Sequence, residues 1–180
     1  MVAPGVYVLT VTAFDEAGNK ATDSRNFVVY DPAAGFVTGG GWIDSPPGAY
    51  TADPSMTGKA TFGFVSGYEK GAAVPTGRTQ FQFKAANLNF HNSSYDWLVV
   101  EGACSQFKGV GTINGTGKYG FMLTAIDGAL PGGGGADKFR IKIWNRESGG
   151  GIVYDNQPGA GDGGDPTTTI GGGSIVIHRK

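Results

Sequence analysis

The chain has 180 residues, of which 39% are hydrophobic and 16% charged, with a formal net charge of −1. That length suits one domain of roughly 100–150 residues plus a smaller piece. The near-neutral charge without a basic stripe gives no support for a nucleic-acid or membrane-surface partner, and no apolar run approaches the ~20 residues that cross a bilayer. The 33 glycines follow no three-residue period, which excludes collagen, and Val-, Ile-, Phe- and Thr-rich runs between them set the chain apart from a disordered one.

Residues 6–13 are mostly β-branched and aromatic, and residues 25–30 end in Phe27, Val28, Val29 and Tyr30. Between them, Asp15 to Asn19 has turn chemistry, so a hairpin is predicted. A lone hairpin is marginal in water. Docking on the rest of the chain, or on a second chain to form an oligomer, is therefore expected. The N-terminal stretch MVAPGVYVLTVTAFDEAGN lacks the charged and apolar regions of a signal peptide and reads as part of a longer secreted protein.

Further strands are predicted at 36–43, 58–65, 79–84, 96–100, 105–113, 117–126, 138–144, 151–155 and 174–178. Phe81 and Phe83 alternate with Gln80, Gln82 and Lys84; Phe139, Ile141 and Ile143 alternate with Lys138, Arg140 and Lys142. Both patterns predict one buried and one wet face. Asn114-Gly115 between two strand-like runs is a tight hairpin signal. No segment has a 3.6-residue period. The predicted fold is all-β, an antiparallel β-sandwich with glycine-rich loops, with a barrel as the alternative.

The segment VYVLTVTAFDEAGNKATDSRNFVV resembles the last two strands of an immunoglobulin-like, PKD-like repeat of bacterial surface proteins. On that resemblance residues 1–31 are the C-terminal hairpin of a truncated repeat and residues 32–35 a linker. A longer resemblance covers 36–180, through FVTGGGWIDSPPGAY, GKATFGFVSGY, PTGRTQFQFKAANLNFHNSSYDWLVVEGA, GTINGTGKYGFMLTAIDG, DKFRIKIWN, IVYDNQPGAGDGGDPTT and GGGSIVIHRK. These segments resemble the C-terminal β-module of secreted bacterial proteins that follows choice-of-anchor or immunoglobulin-like segments (post-COAP type). The resemblance implies a secreted or cell-surface location. It implies no activity.

Three groups of residues have chemistry to offer. Asp127, Asp137, Asp155, Asn156, Asp162 and Asp165 lie at strand ends or in glycine-rich loops, where carboxylates, amides and inward-turned carbonyls suit calcium. The same residues are ordinary turn formers, and the sequence leaves both readings open. His91 and His178 are the two histidines. With Asp96 they would form the site of a small metal-dependent phosphate or carboxylate ester hydrolase using zinc or manganese, although no HxH or HExxH spacing is present. Trp42 and Tyr50 flank the loop DSPPGAY and are candidate glycan contacts, whereas Trp97 and Trp144 alternate with aliphatic residues and read as core. Cys104, the single cysteine, forms no intrachain disulfide and reads as buried. The leading expectation is a non-catalytic accessory module that binds a polysaccharide or cell-surface component, with structural calcium; the hydrolase is the alternative.

Overall fold

The structure is a computed structural model that describes residues 2–29, 31, 33, 35–147 and 149–179. Its strands are β1 (Gly5–Phe14), β2 (Lys20–Val29), β3 (Phe36–Ser45), β4 (Gly58–Gly67), β5 (Thr76–Phe83), β6 (Leu88–Glu101), β7 (Cys104–Ile113), β8 (Thr116–Ile126), β9 (Lys138–Asn145), β10 (Ile152–Asp155) and β11 (Gly172–His178). One 3-10 turn, Lys84–Ala86, is the sole helical element among the described residues. The protein is all-β.

β1 and β2 form a separate hairpin, and the other nine strands form one antiparallel ladder in the order β10-β9-β8-β7-β6-β5-β4-β3-β11. Period-two patterning lines one face of this ladder with aromatic and aliphatic side chains, and burying that face bends the ladder over on itself. Phe62 of β4 stacks on Phe139 of β9 with ring centroids 4.0 Å apart, and Phe81 of β5 lies 4.6 Å from Tyr154 of β10. Those strands are far apart in the ladder, so their contact defines a two-layer sandwich. Each fully buried Phe or Ile contributes on the order of 1.5–3 kcal/mol, which fixes the register, because a one-residue slip would turn the whole apolar set outward.

The ladder does not close into a barrel: β10 and β11 are its two edges and do not pair with each other. Other groups cover them. The Asp155 N–H donates to the Ala49 carbonyl (2.9 Å) and the Thr51 N–H to the Val153 carbonyl (3.1 Å), which covers β10. Along β11, the N–H groups of Ile175 and Ile177 that face away from β3 donate to the carboxylates of Asp137 (2.7 Å) and Asp127 (3.0 Å). Unpaired edge groups are a template for unwanted strand pairing, and here they are occupied. The tight turn at Asn114-Gly115 is present: Ile113 pairs with Thr116, and the two turn residues have φ of 52° and 76°.

The structure departs from the sequence patterns in four places. The stretch around His91, left outside the predicted strands, is the first half of the 14-residue strand β6. Irregularities between Asn92 and Ser94 and between Tyr95 and Trp97 break its alternation and hide its period. The Arg140 face of β9 is not wet, since Arg140 is 1% exposed. Trp97 and Trp144 are half-buried on the outer surface and are not core, with Lys108 Nζ 5.5 Å from the Trp144 ring centre. In the hairpin, Gly5 is buried at the foot, whereas Leu9, Val11 and Phe27 are exposed. Tyr30 and residues 32 and 34 of the expected linker lie outside the described residues.

Candidate functional site

Residues opposite one another in an antiparallel ladder share a face. Following the register, the outer face of the first half carries the row Ser174–Gly40–Gly63–Gln80–His91 across β11, β3, β4, β5 and β6. On one side lies the row Trp42–Thr61–Gln82–Asn89, and on the other Thr38–Val65–Arg78. Hydroxyls, amides, a guanidinium and an indole therefore cover this face, and among the described residues its centre is left open: Thr61, Val65, Arg78, Gln80 and His91 are all exposed.

The fork between β5 and β6 cuts a groove of about 540 Å³ into this face, and Gly63, Val65, Arg78, Gln80, His91 and Asn92 are among the residues that line it. Pairing of β5 with β6 ends at Gln80–His91. Beyond that point the Asn92 side chain takes the Thr79 N–H (2.7 Å), replacing the lost ladder bond. Below the fork the Tyr95 hydroxyl shares a hydrogen bond with Thr79 Oγ1 (2.7 Å) and donates to the Val65 carbonyl (3.1 Å). Burial pushes that phenol up to about 12, so it stays neutral and keeps its hydrogen bonds to Thr79 and Val65.

β3 and β4 each carry several glycines. Gly39 and Gly67 sit where a Cβ would strike the ring of Phe64 or Cβ of Phe36, which explains them by packing. Gly63 is different: its φ is not positive and an added Cβ would meet nothing within 4 Å. Its cross-strand neighbour Gly40 is nearly as free, with its nearest contact at 3.8 Å. Glycine inside a strand costs stability and often marks close approach by a ligand. Here backbone conformation and packing give no other reason for it.

The residues singled out in the sequence are not gathered in one place. His91 lines the groove, but His178 is on β11, four strands away, which at about 4.8 Å per strand is roughly 19 Å along the sheet. His178 stacks on Phe36 (4.1 Å) and hydrogen-bonds Thr38 Oγ1 through Nε2 (3.2 Å). Asp96 follows His91 along the same strand by roughly 16 Å of extended chain. Trp42 lies against the Gly171–Gly172 backbone with Lys59 Nζ 4.1 Å from its ring centre, and Tyr50 packs edge-on against Phe83 at 6.5 Å.

The acidic residues are engaged in hydrogen bonds. Asp127 also accepts from the Ala129 N–H (3.0 Å) and Asp137 from the Gly128 N–H (2.7 Å). Asp155 takes both prongs of the Arg140 guanidinium (3.0 and 2.9 Å). Asn156 accepts from the Ile141 N–H and donates to the Phe139 carbonyl and Thr168 Oγ1. Asp162 pairs with Lys142 (2.8 Å), and the carbonyl of Asp165 accepts from Gln157 Nε2 (3.0 Å). Among the described residues no three His, Cys, Asp or Glu side chains come together so as to hold a metal ion.

Those same bonds lay a strap, residues 156–165, over the outer face of β7, β8 and β9. Arg140 anchors it by donating to the carbonyls of Gly161 (2.7 Å) and Ala160 (3.0 Å), and Gln106 adds a bond to the Asp162 carbonyl (2.7 Å). Gly120 to Ile126 of β8 is buried on both faces, with Gly120 against the Trp144 ring. Beside the strap a second cleft of about 370 Å³ is lined by Glu101, Cys104, Asp165 and the foot of the hairpin, among others. Burial, with Asp165 and Glu101 nearby, raises the Cys104 thiol to about 12.

Comparison with family models, with curated proteins and with solved structures finds no match to this chain. Sequence reasoning reached His91 but missed Gly63, Arg78 and Asn92 as its neighbours. The only signal was the outward period of β5, which points Arg78, Gln80 and Gln82 to one side.

Proposed function

We propose that the chain is a non-catalytic binding module of a secreted or cell-surface protein, and that its ligand is a glycan held on the outer face of β3 to β6. The observation that carries this reading is the open groove at the β5–β6 fork, where the bare backbone at Gly63 lies beside the Gln80 amide and Arg78 guanidinium of β5, with the His91 imidazole one strand further on. Amides and a guanidinium offer planar donors and acceptors to hydroxyls, and a glycine floor lets a ring approach the sheet. His91 has neither His178 nor Asp96 beside it, so the groove suits binding better than metal-assisted hydrolysis.

The test fills the groove without disturbing the fold. Gly63→Val places a β-branched residue, favoured in strands, where there is room for it, so its Tm is expected to equal or exceed that of the parent. Retention of the native protein and of the variant is compared by electrophoresis through gels containing soluble polysaccharides. Retardation of the parent but not of Gly63→Val is expected. A parent that passes every gel unretarded removes the glycan reading.

A further inference from the structure

Resting on the glycan reading, the groove also has a charge that selects among glycans. We propose that it takes a carboxylated polysaccharide, one built with uronic-acid units, and that Arg78 receives the carboxylate.

Among the groove-lining residues Arg78 is the permanent cation, and no Asp or Glu lines the groove. Arg78 is exposed and makes no ion pair among the described residues. The contrast with the other arginine of the nine-stranded ladder is direct: Arg140 is buried and both prongs of its fork are spent on Asp155. A guanidinium fork matches a carboxylate with two parallel hydrogen bonds, a geometry that a hydroxyl cannot copy.

Placement supports the same conclusion. Arg78 pairs with Val65, one row from Gly63, and Gln80 pairs with Gly63 itself. A sugar ring lying on the Gly63 backbone thus has the Gln80 amide level with it on β5 and Arg78 two residues along the same strand, about 6.6 Å away at the usual rise. That is the reach of a long, flexible guanidinium toward a carboxylate carried at the ring's edge. His91, across β5 from Gly63, lies level with the ring on the far wall. A neutral sugar would leave the Arg78 charge without a partner in the groove, whereas a uronate supplies one.

The experiment measures retardation of the full chain in gels of polygalacturonate, neutral dextran and dextran sulfate, for the parent, Arg78→Gln and Gly63→Val. The polygalacturonate interaction is expected to be at least tenfold tighter than that with dextran, to weaken at least tenfold in Arg78→Gln, and to weaken with added salt as a charge pair does. Arg78→Gln is expected to leave Tm unchanged, since the side chain is exposed. Equal polygalacturonate binding by Arg78→Gln overturns the assignment. Binding of dextran as tight as polygalacturonate, abolished by Gly63→Val, overturns the charge selection and leaves the glycan reading in place. Tighter binding of dextran sulfate that depends on Arg78 replaces the carboxylate by a sulfate ester and overturns the uronate assignment. If none of the three polymers retards the parent, both readings fall.

Discussion

The two halves of the ladder treat their outer faces in opposite ways. Over β7, β8 and β9 the strap 156–165 is tied down by Arg140, Asp155, Gln106 and Lys142, and the side chains beneath it are buried. Over β3 to β6 the centre of the face is uncovered, and its middle row includes two glycines that neither conformation nor packing requires. One face spends its charged groups on internal bonds; the other keeps Arg78, Gln80 and His91 exposed to solvent. A polar group buried by its own chain serves stability, and one left at a groove is available to a ligand. The difference between Arg140 and Arg78 is the clearest instance.

Breaking the covered face should have the largest effect. Arg140→Ala leaves Asp155, 3% exposed, as a buried carboxylate without its cation. Removing one member of a buried pair costs about 3–5 kcal/mol, to be read as a lower midpoint in urea unfolding. A double variant replacing both partners by apolar residues of similar size should recover much of that loss. A single variant as stable as the parent would mean that the strap is held by something other than this pair.

A smaller effect is expected where β11 borders the open face. Asp127→Ala strips acceptors from the Ile177 and Ala129 N–H groups, and a buried donor left unsatisfied costs about 1–3 kcal/mol. Because these oxygens are taken by backbone groups, melting in calcium and in chelator should coincide. A bound ion present at a hundredfold excess over its Kd would instead raise stability by about 2.7 kcal/mol, which calorimetry would detect.

The smallest effect concerns access to the cleft beside the strap. The raised pKa of Cys104 keeps it a thiol at pH 8, so alkylation of the native protein should be slow. Loosening the strap through Arg140→Ala should speed that reaction, while Gly63→Val, on the other face, should not. Equal rates in all three proteins would show that the strap does not control access to the cleft.

The all-β class, most of the strands and the Asn114-Gly115 turn were legible in the chain, because alternation, β-branching and turn residues act over a few neighbouring residues. The inward set Phe81, Phe83, Phe139, Ile141 and Ile143 could be read from period two alone. The groove could not. Its residues come from three strands, and the irregularities in β6 just past the fork erase the alternation by which that strand would have been recognised. Arg140 and Arg78 both occupy outward positions of alternating strands, and their sequence surroundings do not tell them apart. Only the tertiary structure decided which of them is covered, because that depends on where a glycine-rich segment some 20 residues downstream of Arg140 comes to lie. The acidic residues show the same division. Their turn chemistry was local and visible, while the bonds of Asp127 and Asp137 to β11 span 50 and 38 residues and exist only once the ladder has folded over.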